Sequence, residues 1–258
     1  MFHLNGASVT YGSTVALDSI NLQIRPGEAV GFVGLSGAGK TTLFRLLNGM
    51  VRPTRGTVQV NGNSLASLSL EELRQVRAQI GFVHQDLSLI PNLRVLHNVL
   101  AGRLGRLSLW QGARTLLFPP RSCVNEVYEI LQRVGIPEKL YQRTDRLSGG
   151  QRQRVAIARA LFQRPKGLLA DEPVSSVDPA RARSAVSLLT QISREEGLTL
   201  CVSLHNLELA REFFPRLVGL RKGRIAFDRA TEEVKEEEFQ SLYDLGAANG
   251  GGTSDREE

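Results

Sequence analysis

"EAVGFVGLSGAGKTTLFRLLNGM", Glu28 to Met50, decides how this chain folds. It opens on a short apolar run ending at Gly34, breaks into a glycine-rich turn, and resumes as a helical stretch near Lys40. Gly34, Gly39, Lys40 and Thr41 fit the pattern G-x-x-x-x-G-K-[ST]. The reason for that spacing is an anion. Glycines at 34, 37 and 39, alternating with Ser36 and Ala38, let backbone N–H groups turn inward as a concave nest. The helix beginning near Lys40 adds its positive end. Lys40 is placed to reach the β- and γ-phosphates of a nucleotide, and the Thr41 hydroxyl, next to Thr42, to ligate Mg²⁺.

Outward from this turn, two more apolar runs read as strands: "GLLADE" from Gly167 and "LTLCVSLH" from Leu198. Both follow helical stretches, and their continuous hydrophobicity suits parallel strands covered on both faces. The first part of the chain alternates instead. "NLQIRPGE" and "TVQVNG" are expected to be antiparallel strands. From about residue 87 to 163 the pattern is mainly helical. "SCVNEVYEILQRVG" puts Val124, Val127, Ile130, Leu131 and Val134 on one face, and Gly135 and Pro137 stop it. Between Ala101 and Ser122 lies an arginine-bearing segment with one tryptophan and a double proline, too irregular for one helix. The acidic run "TEEVKEEEF" reads as a solvated helix face. "GAANGGGTSDREE", from Gly246, reads as a flexible tail.

The composition sets wider bounds. At 258 residues with 41% hydrophobic and 22% charged residues, one globular domain is expected. Two cysteines make no disulfide framework, and Cys201 in its apolar run reads as a small buried hydrophobe in a reducing compartment. No stretch approaches the roughly 20 apolar residues that cross a bilayer, and no secretory signal is expected. The formal charge of +6 favours anionic partners without choosing among nucleotide, nucleic acid and membrane.

A second glycine turn opens a second helix in "LSGGQRQRVAIARAL", Leu147 to Leu161, but it carries no lysine. In "LLADEP", two acids end a strand. Asp171 can hold Mg²⁺ directly or through water, and Glu172 can act as general base toward an attacking water.

With these in place, the chain resembles the nucleotide-binding subunits of ABC transporters. "VTYG", "GLSGAGKTT", "VHQD", "LSGGQ", "LLADEP", "SSVD" and "SLHN" stand in that family's order between Tyr11 and Asn206. The resemblance implies a P-loop α/β core with a mostly parallel sheet, an antiparallel β part near the N-terminus and an inserted helical subdomain. One such domain would span residues 1–245, with the insertion at about 87–163 and the tail at 246–258. It implies ATP and Mg²⁺ as cofactors and a head-to-tail homodimer. Each "LSGGQ" would then cap the nucleotide on the partner's phosphate loop, so the second turn needs no lysine of its own. Ser148, Gly149 and Gly150 would touch that nucleotide, and Gln151 less directly. By the same resemblance Tyr11 stacks on adenine. Gln85 touches Mg²⁺ and water and senses the membrane partner. Asp178 links the two sites, although Val177 before it is more often leucine in the family. His205 contacts the γ-phosphate. His84 reads as structural.

"NVLAGRLGRLSLWQGARTLLFPP" resembles the phosphonate-importer ATPases within that family. That implies hydrolysis of ATP to power uptake of phosphonate, phosphite or phosphate. The partners would be an integral membrane permease and, indirectly, a solute-binding protein, and the location the cytoplasmic face of a bacterial inner membrane. No appended regulatory domain is expected. An importer for another small solute is the alternative. A soluble ATPase acting on nucleic acid is the more distant one, since neither coiled-coil heptads nor paired cysteines are present; no nucleic-acid partner is expected.

Overall fold

In the computed structural model, which describes residues 1–173 and 179–243, strands dominate the first third of the chain. They are β1 (Phe2–Tyr11), β2 (Thr14–Ile24) and β3 (Ala29–Val33), then α1 (Lys40–Leu47), β4 (Arg55–Val60), β5 (Asn63–Ser64), α2 (Leu70–Arg77) and β6 (Ile80–Val83). Helices follow: α3 (Val95–Leu100), α4 (Leu109–Leu117), α5 (Arg121–Arg133) and α6 (Gly149–Phe162). The last third is mixed, with β7 (Gly167–Ala170), α7 (Pro179–Glu196), β8 (Thr199–Leu204), α8 (Leu207–Phe213), β9 (Arg216–Arg221), β10 (Arg224–Ala230) and α9 (Glu236–Tyr243).

The strands form two sheets. One is antiparallel, in the order β2-β1-β4-β5. The other runs β10-β9-β3-β8-β7-β6 and is parallel throughout except for the β9–β10 hairpin. Sequence periodicity explains the difference. At the start of β1, Phe2 and Leu4 are buried while His3 and Asn5 are exposed, so one face meets solvent. Every residue of β7 and β8 is buried, as parallel strands between two covering layers require.

Each face of the parallel sheet has its own core. Phe2, Leu17, Val30, Phe32, Phe44 and Leu47 pack where the antiparallel sheet and α1 cover it, with Phe32 and Phe44 edge to face at 5.2 Å. Val83, Val99, Leu131, Ile157 and Leu161 fill the other, under α3, α5 and α6. β3 serves both, because Phe32 and Val33 point opposite ways. The turn after β3 is thereby anchored on both sides.

Gly34 shows how tight that anchoring is. Its φ is 149°, and a Cβ there would stand 2.3 Å from the Leu220 carbonyl oxygen in β9. Gly34→Ala is expected to lower the unfolding free energy by about 2 kcal/mol or more, from overpacking against backbone and an unfavourable φ. Urea denaturation measures this; an unchanged midpoint would mean that β9 can retreat at no cost.

Two sequence expectations change. The segment from Ala101 to Ser122 is more ordered than its composition suggests. A 3₁₀ stretch over Ala101–Arg106 leads into α4, which Ser108 and Gln111 close with a reciprocal capping box. Gly112 lets α4 sit close to Leu104, and Leu116 packs on the core. The acidic run near the end is not purely solvated either: Val234 and Phe239 are buried, the latter against Phe227 at 5.6 Å. Asp178 and the tail from Gly246 lie outside the described residues. Among the described residues no helix is long and apolar enough to cross a membrane.

Candidate functional site

The turn between β3 and α1 is built from backbone. Gly37 and Gly39 have φ of 79° and 108°, which L side chains rarely adopt. Gly39 leaves the turn where a Cβ would meet the Ala16 carbonyl oxygen at 2.8 Å. Ala38 is buried and bonded on both sides: its N–H donates to Leu35 O at 3.1 Å, and its carbonyl accepts from Gly223 N at 3.0 Å. Ser36 and Gly37 stand exposed at the lip, while Thr41 and Thr42 are half-buried in the first turn of α1. No acidic residue occupies that turn, which leaves the positive helix end open to an anion.

Lys40 is the central cation. Its side chain is only 3% exposed. Nζ donates to the Gly34 carbonyl at 2.8 Å and the Leu35 carbonyl at 3.1 Å, and lies 3.5 Å from Glu172 Oε1. Burial pulls the ammonium's pKa down, and the neighbouring Glu172 carboxylate opposes that. An ammonium held this way, short of full compensation, is primed for phosphate oxygens.

Glu172 and Asp171 follow β7. Glu172 has a φ of 44°, an unusual conformation for a non-glycine residue. Ser203 in β8 holds it: the Glu172 N–H donates to Ser203 Oγ at 2.7 Å, and Ser203 Oγ donates to Asp171 Oδ1 at 2.7 Å. The Asp171 N–H in turn donates to Val83 O at 2.9 Å. His205, just past β8, places Nε2 2.6 Å from Glu172 Oε1. Glu172 Oε1 thus lies between the Lys40 ammonium and the His205 imidazole. Residues from three distant stretches of the sequence converge because β3, β7 and β8 are neighbours in one parallel sheet.

The remaining candidates lie around this centre. Gln85, exposed beyond β6, lines a cavity of about 470 Å³ with Gly149, Gly150, Gln153, Pro173 and Arg181. Tyr11 ends β1 and is half exposed. His84 is half-buried against the Phe82 ring at 4.2 Å, and burial lowers its pKa. Among the described residues, no hydrogen bond or ion pair joins Ser148, Gly149, Gly150 or Gln151 to Lys40 or Glu172.

The start of α6 is closed within the chain and open outside it. Ser148 Oγ accepts from Gln151 N at 3.3 Å, and Gln151 Oε1 accepts from Ser148 N at 3.0 Å. Gln151 therefore has a structural partner that sequence reading did not assign, although S-x-x-Q is a capping-box signature. Among the described residues, a Cβ on Gly149 or Gly150 would meet nothing within 4 Å, and neither φ is positive. No contact among them and no positive φ requires glycine at either position.

Two further residues were missed. Gln153 is buried in α6 and donates from Nε2 to the Pro173 carbonyl, tying this helix to the turn after Glu172. Ser203 is the other. The clue was available: a hydroxyl inside an apolar strand must have a partner. Ser203→Ala leaves the Asp171 carboxylate and the Glu172 N–H short of a partner, which should cost about 1–3 kcal/mol of stability. It should also lower kcat for ATP more than it raises KM. Steady-state kinetics decide; a change in KM alone would show that Ser203 does not position the acids.

An ABC transporter family model matches residues 17–175. The chain is 42% identical to phosphonates import ATP-binding protein PhnC 3 of Halalkalibacterium halodurans over 244 residues, 94% of each chain. It is 43% identical to the PhnC protein of Pseudomonas putida over 241 residues, 93% of this chain and 89% of that one. Among solved structures, the dimeric bacterial ABC transporter cassette MJ0796 superposes with a TM-score of 0.77 at 31% identity, covering 90% of this chain and 99% of that one. The same cassette, solved as a dimer in a post-hydrolysis state with ADP and Pi, gives a TM-score of 0.73 over the same shares. With its phosphate loop, paired acids and two-sheet core arranged in this way, the chain belongs to the ABC transporter family, as one of its ATPase subunits.

Proposed function

We propose that this chain powers uptake of phosphonate, or of the related anions phosphite and phosphate, through a membrane permease, and that it works as a head-to-tail homodimer. The support for the substrate class is the similarity to phosphonate import proteins over more than nine-tenths of this chain. The observation that carries the dimer is the start of α6. Two glycines at a capped helix N-terminus have open space above them among the described residues. They fit the close approach of backbone N–H groups to a phosphate held by a second copy.

The site fits Mg²⁺ only together with a nucleotide. Thr41, Gln85 and Asp171 offer one hydroxyl, one amide and one carboxylate, too few to hold the ion alone but typical where phosphates and water complete the shell. When bound, the ion neutralises charge on the phosphates. The chain's own residues do the rest. Tyr11 covers the base, and the turn from Gly34 to Thr42 cradles the phosphates. Lys40 binds their terminal oxygens. Glu172 accepts a proton from the attacking water, with His205 holding Oε1 in place. Ser148, Gly149 and Gly150 of the second copy donate to the developing charge. Asp178 would link the two sites. Gln85, which lines the cavity shared with α6, would couple closure to the permease.

Reconstitution tests the reading. The chain, its permease and its solute-binding protein in vesicles should take up methylphosphonate, phosphite or phosphate only with ATP, and the preferred anion should stimulate ATP turnover. Turnover indifferent to all three anions would remove the assignment of substrate class.

A further inference from the structure

The most exposed apolar surface among the described residues lies on α4. Leu109 is 96% exposed, Trp110 80%, Leu117 73% and Phe118 76%. Helix spacing gathers them. Leu109, Ala113 and Leu117 form one i, i+4 row, Trp110 and Arg114 form the next, and Phe118 follows at the C-cap. The flanking row is fixed to the protein through Gly112 beside Leu104 and Leu116 on the core. The outer rows are therefore held outward by a rigid, capped helix.

Charge is arranged to match. Residues 101–122 contain four arginines and no acid. Arg103 is turned inward to Glu126 and over the Phe162 ring, and Arg106 bonds the Ala78 carbonyl at 2.6 Å. Arg114, in the outer row, and Arg121, at the start of α5, are exposed. Of the nearest acids downstream, Glu126 is already held by Arg103 and Arg164, and Glu129 is exposed on α5. An aromatic and aliphatic stripe beside guanidinium groups that make no ion pair among the described residues is what an interfacial helix presents to a charged bilayer.

We propose that the outer face of α4 lies on an anionic lipid surface. Trp110, Leu109, Leu117 and Phe118 enter the headgroup layer, while Arg114 and Arg121 meet lipid phosphates. The contact holds the ATPase against the bilayer in addition to any permease. It needs neither nucleotide nor transport, so its failure and that of the transport assignment are separable.

Trp110 is the chain's sole tryptophan and thus reports on the contact directly. Adding vesicles of phosphatidylglycerol and phosphatidylethanolamine to the full chain should move its emission to shorter wavelength and carry the protein into the vesicle pellet. Phosphatidylcholine vesicles should do neither, and salt should weaken the effect. Reversing Arg114 and Arg121 to glutamate should lower partitioning at least about tenfold, since each cation near an anionic surface adds to the attraction and each acid opposes it. Leu117→Ser with Phe118→Ser should abolish the emission shift. Circular dichroism and ATP binding should stay unchanged in both variants, because the altered side chains are exposed. Absence of both shift and pelleting with anionic vesicles would overturn the proposal. So would a shift that appears only when detergent-solubilised permease is added, which would make the stripe a protein interface.

Discussion

Glu172→Gln leaves ATP bound but lowers its turnover about 10²–10⁴-fold, the usual range for losing a positioned general base. The substitution preserves shape. The amide oxygen can still accept from His205 Nε2, and the backbone N–H keeps its bond to Ser203. Lys40 keeps the Gly34 and Leu35 carbonyls, so the phosphate turn stays built. What is lost is a carboxylate that can take a proton. Single-turnover phosphate release beside nucleotide binding measures the effect. ATP should also hold this variant as a dimer, visible by light scattering, because hydrolysis no longer reopens it. Near-normal phosphate release would place the base elsewhere, and a monomer under saturating ATP would remove the head-to-tail pairing.

Gly149→Asp lowers ATP turnover about 10²–10³-fold or more, the scale expected when a donor to the developing charge is lost, while the isolated chain still binds ATP. The open space above Gly149 makes this a clean experiment. Among the described residues its Cβ meets nothing within 4 Å, and an acid in the first turn of a helix is stabilising by about 0.3–1 kcal/mol. Thermal unfolding should therefore stay put or rise slightly. The carboxylate would face the terminal phosphate held by a second copy, like charge against like charge. Mixing the variant with a Lys40→Ala chain sharpens the result. Each composite dimer regains one site with both an intact loop and an intact α6 start, and part of the activity should return. Full activity of Gly149→Asp alone would show that α6 caps no phosphate.

The phosphate turn is the most legible feature of the amino-acid sequence, because backbone geometry dictates it: glycines where φ must be positive, then a lysine and a hydroxyl at the helix start. The buried strands are equally plain, since β7 and β8 are apolar on both faces. Segment 101–122 is harder to read. Its order comes from a local capping box and from one glycine approaching Leu104, and composition conveys neither. The acidic run hides Phe239 in the same way, because a single aromatic among charges has no periodicity to betray its burial.

The sequence by itself determined the parts: an anion cradle, two acids ending a strand, a histidine ending another, and a second glycine turn without a cation. These are local, set by backbone conformation and side-chain chemistry over a few residues. Only the tertiary structure decided how they meet. The order β3-β8-β7 puts Lys40, His205 and Glu172 around one carboxylate oxygen, and it gives Ser203 its task between the two acids. It also left Gly149 facing open space and turned the Trp110 row outward. Those outcomes depend on which distant segments pack together, a choice made by burial of the whole chain's apolar surface rather than by any short run of residues.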